Sequence, residues 1–252
     1  MLKMRKIVLL LSIVIFTLNV TEIIAQDAQT LLGNMDKVMF SAKDKQGIVQ
    51  IILTNRQGKE KVREAVFMQK GDKSLYRYTK PESQAGIATL SLPDGVMWLY
   101  MPAFGKPKKI SLLAKSQAFT GTDFSYEDMS TLPYSERYTP KLLKTEADSY
   151  VLELTPKADN SKYSKIVLKM DKENYYPIKM EYYSRNGEKF KEASYVYEKV
   201  GDYWNAKQVI MVDLNKQHMT KILLTDVKFN QGIPDDVFTV ENLVPKEKEE
   251  SK

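Results

Sequence analysis

From Gly47 onward the chain is cut into short runs by turn-forming residues at intervals of about ten, and this punctuation limits the possible folds more than any other feature. Arg56-Gln57-Gly58, Lys70-Gly71-Asp72, Pro81-Glu82, Pro93-Asp94-Gly95, Phe104-Gly105-Lys106, Asn186-Gly187 and Gly201-Asp202 all have the composition of tight turns. The runs between them are rich in Val, Ile, Leu, Tyr and Thr. They predict strands over 47–55, 60–70, 74–79, 86–91, 96–101, 107–113, 139–145, 150–156, 164–171, 177–184, 189–200, 204–214 and 219–229. Strands joined by such short turns pair antiparallel, so the expected class is mainly β, a meander of hairpins. Ile51-Ile52-Leu53 and Ile222-Leu223-Leu224 are apolar at consecutive positions, which fits strands with a core on one face and a helix or a ligand on the other.

Three segments break the strand rhythm. Ala28, Leu31, Leu32, Met35, Val38, Met39 and Ala42 recur at three- and four-residue steps after Asp27, a possible N-cap, and predict an amphipathic helix over 27–43. Between Ala114 and Pro133 the pattern stops, and the capping-box spacing of Ser125 and Asp128 predicts a short lid helix that starts at Ser125 and ends before Pro133. Lys3, Arg5 and Lys6, the apolar run Ile7 to Val20 and the small residue Ala25 have the layout of a secretory signal peptide over 1–25. Its apolar run falls short of the ~20 residues that cross a bilayer. The remaining chain reads as one domain over 26–245 with a charged tail over 246–252.

Composition removes several kinds of chemistry. There is no cysteine, so the chain has no disulfide, thiolate ligand or thioether-linked lipid, and its stability rests on the core alone. The net charge of +6 contains a surplus of +2 from Lys3, Arg5 and Lys6 against Glu22, and the +4 left over is too mild to argue for nucleic acid. The one histidine, His218, falls in an expected turn, where a solvated role is the ordinary one; a catalytic triad would need it buried beside a hydroxyl and a carboxylate. A histidine-rich zinc site is excluded by count, and no glycine-rich phosphate loop or other cofactor motif is present. Asp123, Glu127 and Asp128 form the only carboxylate cluster worth weighing. It suits a glycosidase-like pair, a hard cation, or plain capping of the short helix.

Met97, Trp98, Tyr100, Met101, Phe104, Phe119, Phe124, Tyr126 and Met129 crowd into one third of the chain. Such side chains suit a deformable apolar pocket, and equally an ordinary β core.

The order Asp94-Gly95-Val96-Met97-Trp98-Leu99-Tyr100-Met101-Pro102, Lys108-Lys109-Ile110 and Phe119-Thr120-Gly121-Thr122-Asp123-Phe124-Ser125-Tyr126-Glu127-Asp128-Met129 is more specific. It resembles the outer-membrane lipoprotein-sorting (LolA-like) family over residues 30–245, including the closing Ile233-Pro234-Asp235-Asp236-Val237-Phe238. The resemblance implies a half-open antiparallel β barrel with an N-terminal helix and a lid, located in the periplasm after secretion across the inner membrane. Its apolar cavity would accept the acyl chains of a lipoprotein or free lipid. It further implies a monomer without cofactor or metal, an inner-membrane transporter or outer-membrane acceptor as partner, and no catalysis. The expected cavity residues are Leu31, Leu32, Met35, Met39, Met97, Trp98, Tyr100, Phe104, Phe119, Phe124, Tyr126 and Met129. Where the family often carries arginine this chain has Lys108 and Lys109, which keep the charge and lose the bidentate fork. The best-known carriers steady a closed lid with an arginine, for which Arg63, Arg77 and Arg137 are the candidates here.

Three other readings compete with the carrier. A sensor or interaction module on the same scaffold would hold a stable membrane partner. An envelope hydrolase would depend on Asp123, Glu127 or Asp128. A purely structural β protein would have a filled interior.

Overall fold

The computed structural model describes residues 28–111, 114 and 117–245. The expected signal peptide, Asp27 as a cap and the charged tail lie outside the described residues. Helix α1 covers residues 28–39. It stops short of the expected Lys43 because the chain turns at Phe40 to begin the sheet, where Lys43 N–H donates to Asn230 Oδ1 at 2.9 Å.

One sheet of thirteen strands follows, antiparallel at each neighbouring pair. The strands are β1 Asp44–Thr54, β2 Glu60–Lys70, β3 Lys73–Lys80, β4 Ala88–Leu92, β5 Val96–Tyr100, β6 Lys108–Lys109, β7 Tyr138–Thr145, β8 Ser149–Pro156, β9 Lys165–Asp171, β10 Pro177–Tyr183, β11 Lys189–Val200, β12 Tyr203–Asp213 and β13 His218–Phe229. Their spatial order is β6-β5-β4-β3-β2-β1-β13-β12-β11-β10-β9-β8-β7. The two arms are hairpin meanders whose strands pair with each other, among the described residues, only where β1 meets β13, and β6 and β7 remain as free edges, so the barrel is half open. Local chemistry sets the turns: Asp94 and Gly95 both take positive φ (58° and 66°), the pair a tight hairpin turn requires.

The strand expected at 107–113 is only Lys108–Lys109. Ile110 still donates to Met97 O at 2.8 Å, but its side chain turns into the core. At Gly47 an added Cβ would lie 2.9 Å from Thr225 O, and the β1–β13 register shifts there between Gln46 and Ile48. A bulge of this kind bends the strand beside Lys45.

Strand alternation separates two faces. α1 covers the inner face: Ala28, Leu32 and Met35, at helical spacing, are completely buried against Leu152, Leu154, Leu168, Met170 and Met180. Asp36 on α1 accepts from the N–H groups of Tyr134 and Ser135, both at 2.8 Å, and so ties α1 to the single-turn helix α2, Tyr134–Arg137. On the outer face of β3 to β5 a second cluster, with Leu75, Leu90 and Tyr100, packs under Ile233, Phe238 and Leu243. That C-terminal segment is latched by three N–H donors (Gln231, Gly232, Ile233) to the buried Asp44 carboxylate, by Arg77 to Leu243 O at 2.9 Å, and by Asp235 to Lys70 and Lys73.

The expected lid helix does not form. The capping box is present, with Ser125 N–H donating to Asp128 Oδ2 at 2.7 Å and Asp128 N–H to Ser125 Oγ at 3.1 Å, but it closes only one turn. Tyr163 and the neighbours of Glu127 hold that turn's acidic side chains away from a helical course, and the chain runs on as an irregular strap across residues 117–133.

Candidate functional site

The inner face is not filled everywhere. Where β1, β12 and β13 meet, α1 has already ended. A cavity of about 190 Å³ lies between Met39 and Phe40 of the helix end, Lys45, Phe67, Gln69, Ser74 and Tyr76 of β1 to β3, and Tyr195, Tyr197, Ala206, Val209, Ile222 and Leu224 of β11 to β13. The strap borders it with Phe124, Asp128, Met129, Ser130 and Thr131, and Tyr134 adds to the wall. Strand parity explains the wall: Val49 faces Leu224, Ile51 faces Ile222, and Val209 faces Ile222 in the next pair, so these apolar side chains share one surface. Ile222 and Leu224 are the even-numbered positions of the run whose two faces are both apolar in the sequence. Desolvation raises the phenols of Tyr76, Tyr195 and Tyr197, which keeps them neutral hydrogen-bond donors. Lys45 is half-buried with its ammonium 5.3 Å from the Phe67 ring centroid, and loss of hydration pushes it down to about 8.

Of the residues expected around a cavity, Met39, Phe124 and Met129 line this one. Leu32, Met35, Met97, Phe119 and Tyr126 are buried in the main inner core, with Leu31 packed against it. Trp98, Tyr100 and Phe104, expected at the cavity, lie away from it. Trp98 pairs with Leu90 and Tyr100 with Ala88, which places them on the outer face beneath the C-terminal segment. Phe104 is 57% exposed in a turn, with the Lys108 ammonium 4.5 Å from its ring centroid. Local crowding of aromatics carries no information about which face each one takes.

The strap is fastened at many points. Arg63 donates to Thr120 O at 2.6 Å, and Tyr78 shares a 2.5 Å hydrogen bond with Thr120 Oγ1. Arg137 donates to Glu127 O at 3.0 Å and Leu132 O at 3.1 Å while lying over the Tyr134 ring. Arg63 and Arg137 thus hold strap carbonyls from the β2 side and the β7 side, whereas Arg77 serves the C-terminal segment.

The three carboxylates of the strap point in separate directions. Asp123 is buried and receives the Thr220 hydroxyl and His218 Nδ1, both at 2.7 Å, while Lys191 donates to its backbone carbonyl. His218 therefore opens β13 as an anchor for the strap rather than sitting in a solvated turn. Its partner hydroxyl bonds the carboxylate and not the imidazole, unlike a nucleophile paired with its base. Asp128 takes the Tyr163 hydroxyl at 2.7 Å, and Glu127 takes Ser161 Oγ at 2.7 Å and Lys162 N–H at 3.2 Å. Among the described residues no group of three acidic or histidine side chains could hold a metal ion.

A larger hollow, about 330 Å³, opens on the far side of the strap and shares Ser130 with the cavity. Leu132, Pro156 and Ala158 give it apolar wall, and Glu127, Glu136, Arg137 and Lys157 set four charged groups among them, which suits an acyl chain less well than the cavity under the strap.

Comparison with known proteins agrees with this architecture. A family model described as an uncharacterized protein matches residues 70–244. An outer membrane lipoprotein-sorting protein domain from Vibrio parahaemolyticus is 30% identical, with a TM-score of 0.81 over 87% of this chain and 99% of its own. A LolA superfamily protein from Nitrosomonas europaea is 28% identical, with a TM-score of 0.71 over 84% of this chain and 97% of its own. A DUF1329 family protein from Desulfovibrio piger shares the fold at 23% identity, with a TM-score of 0.80 over 87% of this chain and 99% of its own. No curated protein matches.

Proposed function

The chain belongs to the outer-membrane lipoprotein-sorting, LolA-like family, and from that premise we propose that it is a non-enzymatic periplasmic carrier holding an acyl chain of a lipoprotein or free lipid in the cavity beneath the strap. The observation that carries this reading is the hollow of about 190 Å³ left on an otherwise tightly packed inner face. Each CH₂ moved out of water gains about 0.8 kcal/mol, so a chain crossing an aqueous space needs such a container. Met39 and Met129 supply adaptable walls at the two movable borders, the helix end and the strap.

The volume holds part of one chain, since sites for whole drug-sized ligands run to about 300–1,000 Å³. Loading anything larger displaces the strap or the end of α1, and release to an acceptor membrane reverses that step. A single domain, exported through the expected signal peptide, suffices for this role.

Extraction of the purified protein followed by mass spectrometry tests the reading. Acyl species retained in stoichiometric amounts are expected; protein that comes out lipid-free and also ignores added acyl probes would sink it. Arg63→Ala frees the strap's carbonyl at Thr120 and is expected to speed probe dissociation, read by stopped-flow fluorescence; an unchanged rate removes the strap from the loading step.

A further inference from the structure

Lys45 pairs with Gln69 across β1 and β2, and Gln69 pairs with Ser74 across β2 and β3. The three therefore form one polar row on the inner face, roughly 10 Å wide at the usual strand spacing. Two residues deeper, Gly47, Phe67 and Tyr76 form the next row, and then Val49, Ala65 and Tyr78. The cavity thus changes from polar to apolar along the strands. Among the described residues the Lys45 ammonium has no hydrogen-bond or ion-pair partner, and the only influence resolved on it is desolvation. The Lys45 cation lies over an aromatic ring in a partly dry cavity, with the Ser74 hydroxyl and the Gln69 amide in its row, one amide N–H of which donates to Gly71 O at 3.2 Å; the carboxylate in the cavity lining, Asp128, is taken by the Tyr163 hydroxyl, and Lys45 lacks one component, an anion.

We propose that Lys45, with Gln69 and Ser74, reads an oxyanion head group, so that the preferred ligand is a single-chain anionic amphiphile lying head toward the β2–β3 turn and tail over Phe67 and Tyr76. This rests on the carrier reading and specifies its ligand: one chain ending in a carboxylate or a phosphate, oriented by its head. The cavity volume of about 190 Å³ takes part of one chain before the strap or the end of α1 has to move. The bulge at Gly47, beside Lys45, bends β1 where the polar row gives way to the apolar one.

Calorimetric titration of the full chain at neutral pH with decanoate, monodecyl phosphate and decanol provides the test. Wild-type protein is expected to bind one or both anions about ten- to a hundredfold more tightly than decanol, the range of a charged hydrogen bond. The ratio between the two anions tells a fatty-acid carboxylate from a phosphate head. Lys45→Met is expected to bring all three to the affinity of decanol, and Lys45→Arg to restore the preference for anions. The proposal is overturned if Lys45→Met leaves the anion-to-alcohol ratio unchanged, or if it loses decanol as well, since Lys45 would then shape the cavity without reading the head. Failure of wild-type protein to bind any of the three would instead overturn the carrier reading.

Discussion

The inner face of the sheet is solid at one end and hollow at the other. Under β7 to β10, the side chains of Leu152, Leu154, Leu168 and Met180 are completely sealed by Leu32 and Met35 of α1. Where β1, β12 and β13 meet, Tyr195, Val209, Ile222 and Leu224 are only half-buried and face space. Both ends use the same strand alternation, so sheet geometry is not the cause. The difference lies in the cover: α1 is twelve residues of described helix, long enough to roof one arm and too short to roof the junction of the two. A hollow made this way is a missing lid rather than a missing wall, and its size follows the position of the helix end and the strap.

The sharpest way to break this contrast is truncation. Leu168→Ala at the solid end is expected to cost about 2–5 kcal/mol in urea unfolding, because the vacated space stays empty. Ile222→Ala at the hollow end already borders a void and is expected to cost under about 1.5 kcal/mol while weakening acyl-probe binding. Equal losses would erase the distinction. Enlargement runs the other way. Leu152→Phe is expected to destabilise by about 1–3 kcal/mol through overpacking. Val209→Phe fills the cavity at little cost in stability and is expected to abolish probe binding; binding that survives would place the acyl site elsewhere.

Much of the first half of this contrast is legible in the sequence. Turn chemistry locates twelve of the thirteen described strands to within about three residues and overextends β6, since each hairpin is a local event, and the α1 periodicity names Leu32 and Met35. The strap is legible only in part. Ser125 and Asp128 do form their capping box, but whether a capped turn propagates depends on Tyr163 and Ser161, which come from a distant part of the chain. The cavity is the least legible, for its walls join β1 to β3 with β11 to β13 across most of the sequence. Lys45 in particular looks like one charge among many until its row is assembled. Trp98 and Tyr100 misled because only the C-terminal segment, folded over the outer face, tells which parity is buried on which side.

A pH effect sharpens the hollow end electrostatically. The Lys45 ammonium is held down to about 8 in the folded protein against 10.5 when free. Between those values the unfolded chain binds a proton that the folded one lacks, so stability rises with pH through that window. Urea melts of wild type and Lys45→Met across pH 7 to 10 should differ by this positive slope; parallel curves would mean the ammonium is not desolvated.

The seam between β1 and β13 has a temporal side as well. It mates Lys45 with Phe229 and Thr54 with Met219, so the first described strand to be synthesised receives its second neighbour from the last. A chain growing from its N-terminus must therefore keep an apolar β1 edge waiting, with only β2 beside it, until nearly the whole polypeptide has emerged. Such long-range closure is slow, because the entropy of a long loop is lost before any contact rewards it. Until closure the unsatisfied β1 edge is the surface most in need of a chaperone, and a truncation before β13 would leave two separate hairpin arms with no shared cavity between them.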